Sequence, residues 1–430
     1  MGTNKFPKGF YWGAATSSHQ VEGNTKNDWT QWEKDNAKRL AETAKARWQD
    51  WQQERFPEMF KEENYISGAA CDHYNRYEED FDIAKSLSHN AHRFSIEWSR
   101  IEPEEGKFNE KEIEHYKKVL TALRKRGMEP FVTLWHWPNP VWIGELGAWE
   151  NKETAKYFLR YAERIFSEYK DLVKFWMPLN EPGTDVALGY LLGNQPPGIR
   201  SKLIANAAFK NLMQAQKNVY GIAKSVSPDF QIGCSHFMFD IKPYHNLPWN
   251  IIAAKIMDYF ANHRFFKAFN HSCDFFGIQY YQPFFVNAKL GGQFFGLFEN
   301  KKVIERQSNL GWQIFPEGIA NVLRKAARNK KPIYITENGL ADCKDEYRGK
   351  FIQEHLKFVL QAISEGVDIR GYFHWSLLDN FEFVEMRGFW PRFGLVEVDY
   401  KTQKRTIRES AWEYKRMIEE YTAASQQKDA

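Results

Sequence analysis

Two glutamates are marked out by their neighbours. Glu181 follows the apolar run Phe175 to Leu179 and precedes Pro182, and Glu337 follows Ile333 to Thr336 and precedes Asn338-Gly339. A short β-rich run that ends in a carboxylate and then a chain-turning residue puts the carboxylate at a strand end. Pro182 disfavours the right-handed helical region for Glu181 and predicts an extended backbone there. Two carboxylates facing each other can share the work of glycosidic bond cleavage. One stays neutral and protonates the leaving oxygen, while the other is ionised and attacks or stabilises the sugar carbon. Taken singly, each is equally a surface glutamate at the start of a loop. Their companions argue for a shared site. Arg93, Trp135-His136-Trp137, Asn180, Gln279-Tyr280-Tyr281 and His374-Trp375-Ser376 all lie in or at the ends of similar runs.

Other chemistries lack their residues. The histidines form no H-E-x-x-H cluster, and Cys71, Cys234, Cys273 and Cys343 have no metal-ligand spacing. No G-x-x-x-x-G-K-[ST] phosphate loop occurs. No metal and no cofactor are therefore expected. A net charge of +4, spread along 430 residues, gives no footprint for nucleic acid. No apolar run is long enough to span a membrane and no signal segment leads the chain, which predicts a cytoplasmic protein. The sequon Asn270-His271-Ser272 then carries no meaning. The aromatic share of 16%, with 16 Trp, fits either a ring-rich core or a pocket that stacks rings on flat faces. A homo-oligomer is compatible with the sequence.

The elements that must carry these residues alternate. Eight β-rich runs are expected as strands: Phe10 to Ala15, Ala91 to Ile96, Pro130 to Trp135, Lys174 to Leu179, Gln231 to His236, Phe275 to Tyr281, Pro332 to Thr336 and Gly371 to Trp375. Helical patterns separate them, including Glu110 to Arg126, Lys152 to Tyr169, Leu203 to Ser225, Pro316 to Lys330 and Arg348 to Glu365. Such alternation predicts an α/β fold, a single (β/α)8 TIM barrel with extended loops around its mouth, filling residues 1–430. An open doubly wound sheet is the runner-up, weakened because no G-x-G-x-x-G follows the first strand. Two connections are long. One, Gly23 to Gly68, contains the charged helical stretch Trp32 to Glu54, read as a solvated face or as a wall of the barrel mouth. The other, Tyr281 to Gln307, is rich in Phe and Gly. The tail 423–430 is expected to fray.

The order of motifs resembles glycoside hydrolase family 1, the β-glucosidase and β-galactosidase type of retaining β-glycosidase. The resemblance begins with F-P-K-G-F-Y-W-G-A-A-T-S-S-H-Q-V-E-G at Phe6 to Gly23. It continues through H-R-F-S-I-E-W-S-R at His92 to Arg100, T-L-W-H-W at Thr133 to Trp137 and L-N-E-P at Leu179 to Pro182. It closes with I-T-E-N-G at Ile335 to Gly339 and W-S-L-L-D-N-F-E at Trp375 to Glu382. The resemblance implies Glu181 as acid/base and Glu337 as nucleophile of an exo-acting, double-displacement hydrolase. Such a pair needs carboxyl groups roughly 5–5.5 Å apart. It further implies that Arg93 and Tyr281 contact the nucleophile and that Gln20, His136, Asn180 and Glu382 bind sugar hydroxyls. It makes Trp375 a platform under the sugar, followed by a cis peptide to Ser376, and makes Trp312 the wall on the aglycone side. Trp137 is a second wall or simply core.

The chain departs from that pattern after Glu382, where Phe383 stands in place of the usual Trp and removes an N–H donor. The stretch from Glu382 to Arg392 looks about two residues longer than usual, and Gln279 stands where Asn is common. These departures bear on the sugar preferred: β-glucoside first, with β-galactoside and β-fucoside as side activities. Within the family the alternatives are a 6-phospho-β-glycosidase, disfavoured by the charge of Glu382, and a β-mannosidase. An inactive sugar-binding relative is disfavoured because both glutamates are present. The expected partner is a small β-glycoside or oligosaccharide.

Overall fold

The computed structural model of the chain describes residues 5–288 and 298–426. Its centre is a closed barrel of eight parallel strands, each bonded to its neighbours in chain order. The strands are β1 (Tyr11–Ala15), β2 (Ala91–Ser95), β3 (Glu129–Trp135), β4 (Phe175–Leu179), β5 (Gln231–Phe237), β6 (Phe275–Gln279), β7 (Ile333–Asn338) and β8 (Ile369–Trp375). All eight runs read from the sequence are barrel strands, with ends displaced by at most two residues. β2, β4 and β7 are buried at every position. That is why they read as continuous apolar runs: a parallel strand covered by helices is buried on both faces.

The barrel interior is closed below the mouth by rings. Phe131 and Phe175 stack at 4.3 Å, and Tyr334 and Phe373 pack against Phe131 at 5.3 and 4.8 Å. This plug is a floor that the polar strand ends stand on. The helices predicted from periodicity are present as Glu110–Lys125, Thr154–Tyr169, Lys202–Val226, Glu317–Ala327 and Arg348–Ser364.

The charged segment forms two helices, Asp28–Arg47 and Asp50–Arg55. It is not a wholly solvated face. Asn27 caps the first helix reciprocally with Thr30, and Trp29, Glu33, Ala37, Leu40, Ala41 and Ala44 are buried along one side. In the second long connection, Pro283–Ala288 joins Asp240–Pro243 and Phe298–Asn300 in a small sheet, and residues 289–297 lie outside the described residues. The last helix, Glu409–Gln426, includes the first residues of the stretch expected to fray, while 427–430 lie outside the described residues. Among the described residues no helix is long and apolar enough to cross a membrane, and all four cysteines are unpaired.

Candidate active site

Glu181 lies two residues past the end of β4 and Glu337 lies near the end of β7, so both leave the barrel at the same rim. Glu181 is not extended. Its φ of +43° and ψ of +53° place it in the left-handed region. Proline at 182 removes only the right-handed option, and the chain must turn at once into the short helix Pro182–Asp185. The turn is tied down. The Glu181 N–H donates to the Ser235 carbonyl at 3.1 Å, and its own carbonyl accepts from the Thr184 and Asp185 N–H groups at 3.0 and 3.1 Å. On the other side, Gly339 lets the end of β7 pass Trp375, where a Cβ would overlap the Trp375 carbonyl. The Trp375-Ser376 peptide is cis.

The two carboxylates have unlike surroundings. Glu337 takes three donors: Arg93 and the Gln279 amide (2.7 Å) on Oε1, and the Tyr281 hydroxyl (2.7 Å) on Oε2. Glu181 has a side-chain hydrogen bond from Thr184. Burial raises the pKa of both. For Glu337 the rise is opposed by the Arg93 charge and by the bonds from Tyr281 and Arg93. For Glu181 burial is reinforced by the negative charge of Glu337, which carries it well above the carboxylate range. Of the pair, Glu337 is therefore the first to ionise and Glu181 keeps its proton to higher pH.

Asn180 links this pair to the rest of the rim. Its Oδ1 accepts from Arg93 at 2.5 Å and from Gln279 at 2.9 Å. Its Nδ2 must then be the donor to His136 Nε2 at 3.1 Å. Burial and the Arg93 charge hold His136 well below its usual pKa, so the ring is neutral. A neutral ring that accepts at Nε2 carries its proton on Nδ1. That Nδ1 is buried and has no protein partner. The ring lies at 21° to Trp375 with centroids 6.1 Å apart. Glu382 Oε1 accepts from the Val384 N–H at 2.9 Å. Burial pushes this carboxyl up to about 7, against the pull of Arg387.

Three residues expected in the sugar site are more occupied than their types suggest. The Gln20 amide donates to Asn380 Oδ1 (3.0 Å) and the Phe381 carbonyl (2.8 Å), and its oxygen accepts from Ser17 (2.6 Å). Only one acceptor lone pair is left for a ligand. Trp137 gives its N–H to the Asn180 carbonyl at 3.1 Å and is buried between Trp29 and Phe383. Phe383 itself is 1% exposed, edge-on to Trp29 at 4.6 Å and Trp137 at 5.0 Å. Trp312 stands apart on the other side, edge-on to Tyr281 at 5.5 Å with the Arg387 guanidinium 5.1 Å over its ring.

Sequence reasoning noted Gln279 at a strand end and as a departure from the family pattern, but gave it no role at the nucleophile. It donates to both Glu337 and Asn180. Thr184 and Arg387 gave no such signal, since nothing local shows that they reach Glu181 and Glu382. Among the described residues no cluster of three or more His, Cys, Asp or Glu is placed to hold a metal ion.

Comparison with known proteins agrees with this geometry. Residues 2–271 and 266–422 match the model of Glycosyl hydrolase family 1. Beta-glucosidase A of Thermotoga maritima is 33% identical over 465 aligned positions, covering 97% of this chain and 98% of the relative. A solved structure of a beta-glucosidase from Thermotoga maritima in complex with glucoimidazole superposes with a TM-score of 0.85 at 30% identity, over 97% of this chain and all of that one. A beta-glycosidase from Pyrococcus horikoshii superposes equally well, at 0.85 and 36% identity, over 98% of this chain and 96% of its own. With a family match along nearly its whole length and full-length relatives above 30% identity, the chain belongs to glycosyl hydrolase family 1.

Proposed function

We propose that the protein is an exo-acting β-glucosidase, hydrolysing β-O-glycosides from the non-reducing end with retention, with β-galactosides and β-fucosides as side substrates. The observation that carries this reading is the unequal environment of the two rim carboxylates. Glu337, ionised among Arg93, Gln279 and Tyr281, attacks the anomeric carbon. As that C–O bond forms, the glycosidic C–O bond breaks and the leaving oxygen takes the proton of Glu181. Glu181, now ionised, removes a proton from water. The water oxygen attacks the anomeric carbon, the ester to Glu337 breaks, and both carboxylates return to their starting states.

His136, through its unpartnered Nδ1–H, Glu382, through its unused oxygen, and the remaining lone pair of Gln20 supply hydroxyl contacts. Trp375 supplies the ring face. Arg93 and Asn180 position the nucleophile, and Trp312 flanks the leaving group. The substrate is a small β-glycoside, and the four unpaired cysteines support action in the reducing cytoplasm.

The test is nitrophenol release from β-glucoside, β-galactoside, β-mannoside, β-fucoside and 6-phospho-β-glucoside, run beside Glu337→Gln and Glu181→Gln. Neutral glycosides are expected to turn over in the wild type and to stop in Glu337→Gln, with the first-released sugar keeping the β configuration by NMR. Turnover of the phosphorylated substrate alone would overturn the reading of Glu382, and an inverted product would overturn the mechanism.

A further inference from the structure

The helix Pro248–Asp258 is inverted: it buries a polar residue and two alanines and turns its large apolar side chains outward. On the inner side, Asn250 Nδ2 donates to the Tyr244 carbonyl and its Oδ1 accepts from the Ala288 N–H at 2.9 Å. Ala253 and Ala254 pack with Ile241 and Val286 of the small sheet, in a core separate from that of the barrel. Outward stand Trp249 (57% exposed), Ile252 (59%) and Ile256 (40%). At ~100° per residue these three fall within an arc of about 60°. Leu247, just before the helix, and Tyr259, just after it, are exposed as well. Among the described residues, five of the twelve exposed large apolar side chains therefore fall within the thirteen positions 247–259. Scattered exposed apolar side chains need no partner, whereas a contiguous patch marks a surface that something covers. Rotating the helix would not hide the patch without breaking both bonds of Asn250.

The charge around the patch has one sign. From Ile241 to Cys273 the chain carries Lys242, Lys255, Arg264 and Lys267 against a single acid, Asp258. Asp258 is itself held by Lys325 at 2.9 Å and Asn262 at 2.7 Å. Lys255 borders the apolar arc, and Lys267 lies on the next helix, Arg264–Phe269. Both are exposed, and neither makes an ion pair among the described residues. An apolar strip edged by cations matches the headgroup boundary of an anionic bilayer. Rings and aliphatic side chains enter the acyl boundary while ammonium groups stay with the phosphates. A second copy of the chain is a poorer match, because an isologous contact would set this basic patch against itself.

We propose that the helix Pro248–Asp258 docks the protein on the surface of an anionic lipid bilayer. Trp249, Ile252 and Ile256 enter the interface, and Lys255 meets the headgroups. The helix lies along the surface and does not span the bilayer. The docking goes beyond the glycosidase reading and does not depend on it.

The test is sedimentation of the full chain with sucrose-loaded vesicles of phosphatidylcholine, alone or mixed with phosphatidylglycerol in equal parts. Wild type should bind the mixed vesicles, more weakly as salt rises, and should bind pure phosphatidylcholine less. Joint replacement Ile252→Ser and Ile256→Ser should lower the partition coefficient about tenfold to a hundredfold. Lys255→Glu should lower it at least about fivefold on mixed vesicles. All three changes lie on outward side chains, so Tm and nitrophenyl glycoside turnover in solution should match wild type. Sedimentation velocity of the free protein is run alongside. A wild type that stays in the supernatant with mixed vesicles, or variants that bind as well as wild type, would overturn the proposal. So would a wild-type dimer that the isoleucine replacements dissociate, which would assign the face to a second copy.

Discussion

Replacing Tyr281 by phenylalanine removes one oxygen and keeps a ring of the same outline. The edge contacts of Tyr281 with Trp312 at 5.5 Å, Phe237 at 5.7 Å and Phe393 at 6.3 Å need only the ring. The oxygen is what holds Glu337 Oε2, at 2.7 Å. Burial keeps the phenol far above its usual pKa, so it remains a donor at every pH at which the enzyme works. A hydrogen bond to a charged group contributes about 1.5–3 kcal/mol. At about 1.36 kcal/mol per pKa unit, losing it from the ionised form should raise the Glu337 pKa by about one to two units. The active form needs Glu337 ionised, so the acid limb of kcat/KM should move to higher pH by that amount. The basic limb belongs to Glu181. In that range Glu337 is ionised in both enzymes and exerts the same charge, so the basic limb should stay in place. The assay is nitrophenyl glycoside hydrolysis under kcat/KM conditions across both limbs. An acid limb that does not move, or a basic limb that moves with it, would refute the division of roles between the two carboxylates.

Glu382→Gln should change stability with a definite sign. The carboxyl titrates at about 7 in the folded protein against an ordinary 4.5. Between those values the folded state keeps a proton that the unfolded state releases, so wild-type stability falls as pH rises, by about 3 kcal/mol in all. The variant should lose that fall, and its Tm relative to wild type should climb between acidic and neutral pH. Parallel Tm curves would show that the buried carboxyl is not the cause. Phe383→Trp enlarges a ring already wedged against Trp29 and Trp137. It should lower stability by about 1–3 kcal/mol and shift the ratio of glucoside to galactoside rates, with Trp29→Phe restoring the Tm. A lower Tm with an unchanged ratio would make Phe383 a packing residue only. His136→Phe removes a donor with no protein partner and leaves Asn180 Nδ2 unpaired. It should cost about tenfold to a hundredfold in kcat/KM without moving either limb, because the ring is neutral throughout. A displaced limb would mean that His136 titrates.

The barrel was legible because parallel strands buried on both faces leave unbroken apolar runs, and at the ends of β4 and β7 a glutamate stands close to a turn residue. What escaped was set by distant partners. Pro182 announces that Glu181 is not right-handed. Only the Ser235 carbonyl and the immediate helix start decide between extended and left-handed. The charged stretch from Trp32 reads as solvated because its buried stripe is thin and includes Glu33. That carboxylate is buried against His19 and Ser67, from two other parts of the chain. The family resemblance placed Gln20 and Phe383 beside the sugar and left Trp137 open between a wall and the core. Their hydrogen-bond and ring partners, which a motif does not encode, show how little of Gln20 and Trp137 is left for a ligand.

Asn180 is a single amide that serves Arg93, Gln279 and His136, and through its carbonyl Trp137. Its consequence concerns how such an enzyme can diverge. On the glycone side no member of the set can change alone, because each shift is transmitted through one shared group to the charge of the nucleophile. On the opposite side Trp312 is held by its ring contact with Tyr281 and by the Arg387 guanidinium, with no bond to Asn180. Lineages descending from this chain should therefore drift freely in the alcohol they release and hold fast to the sugar they cut.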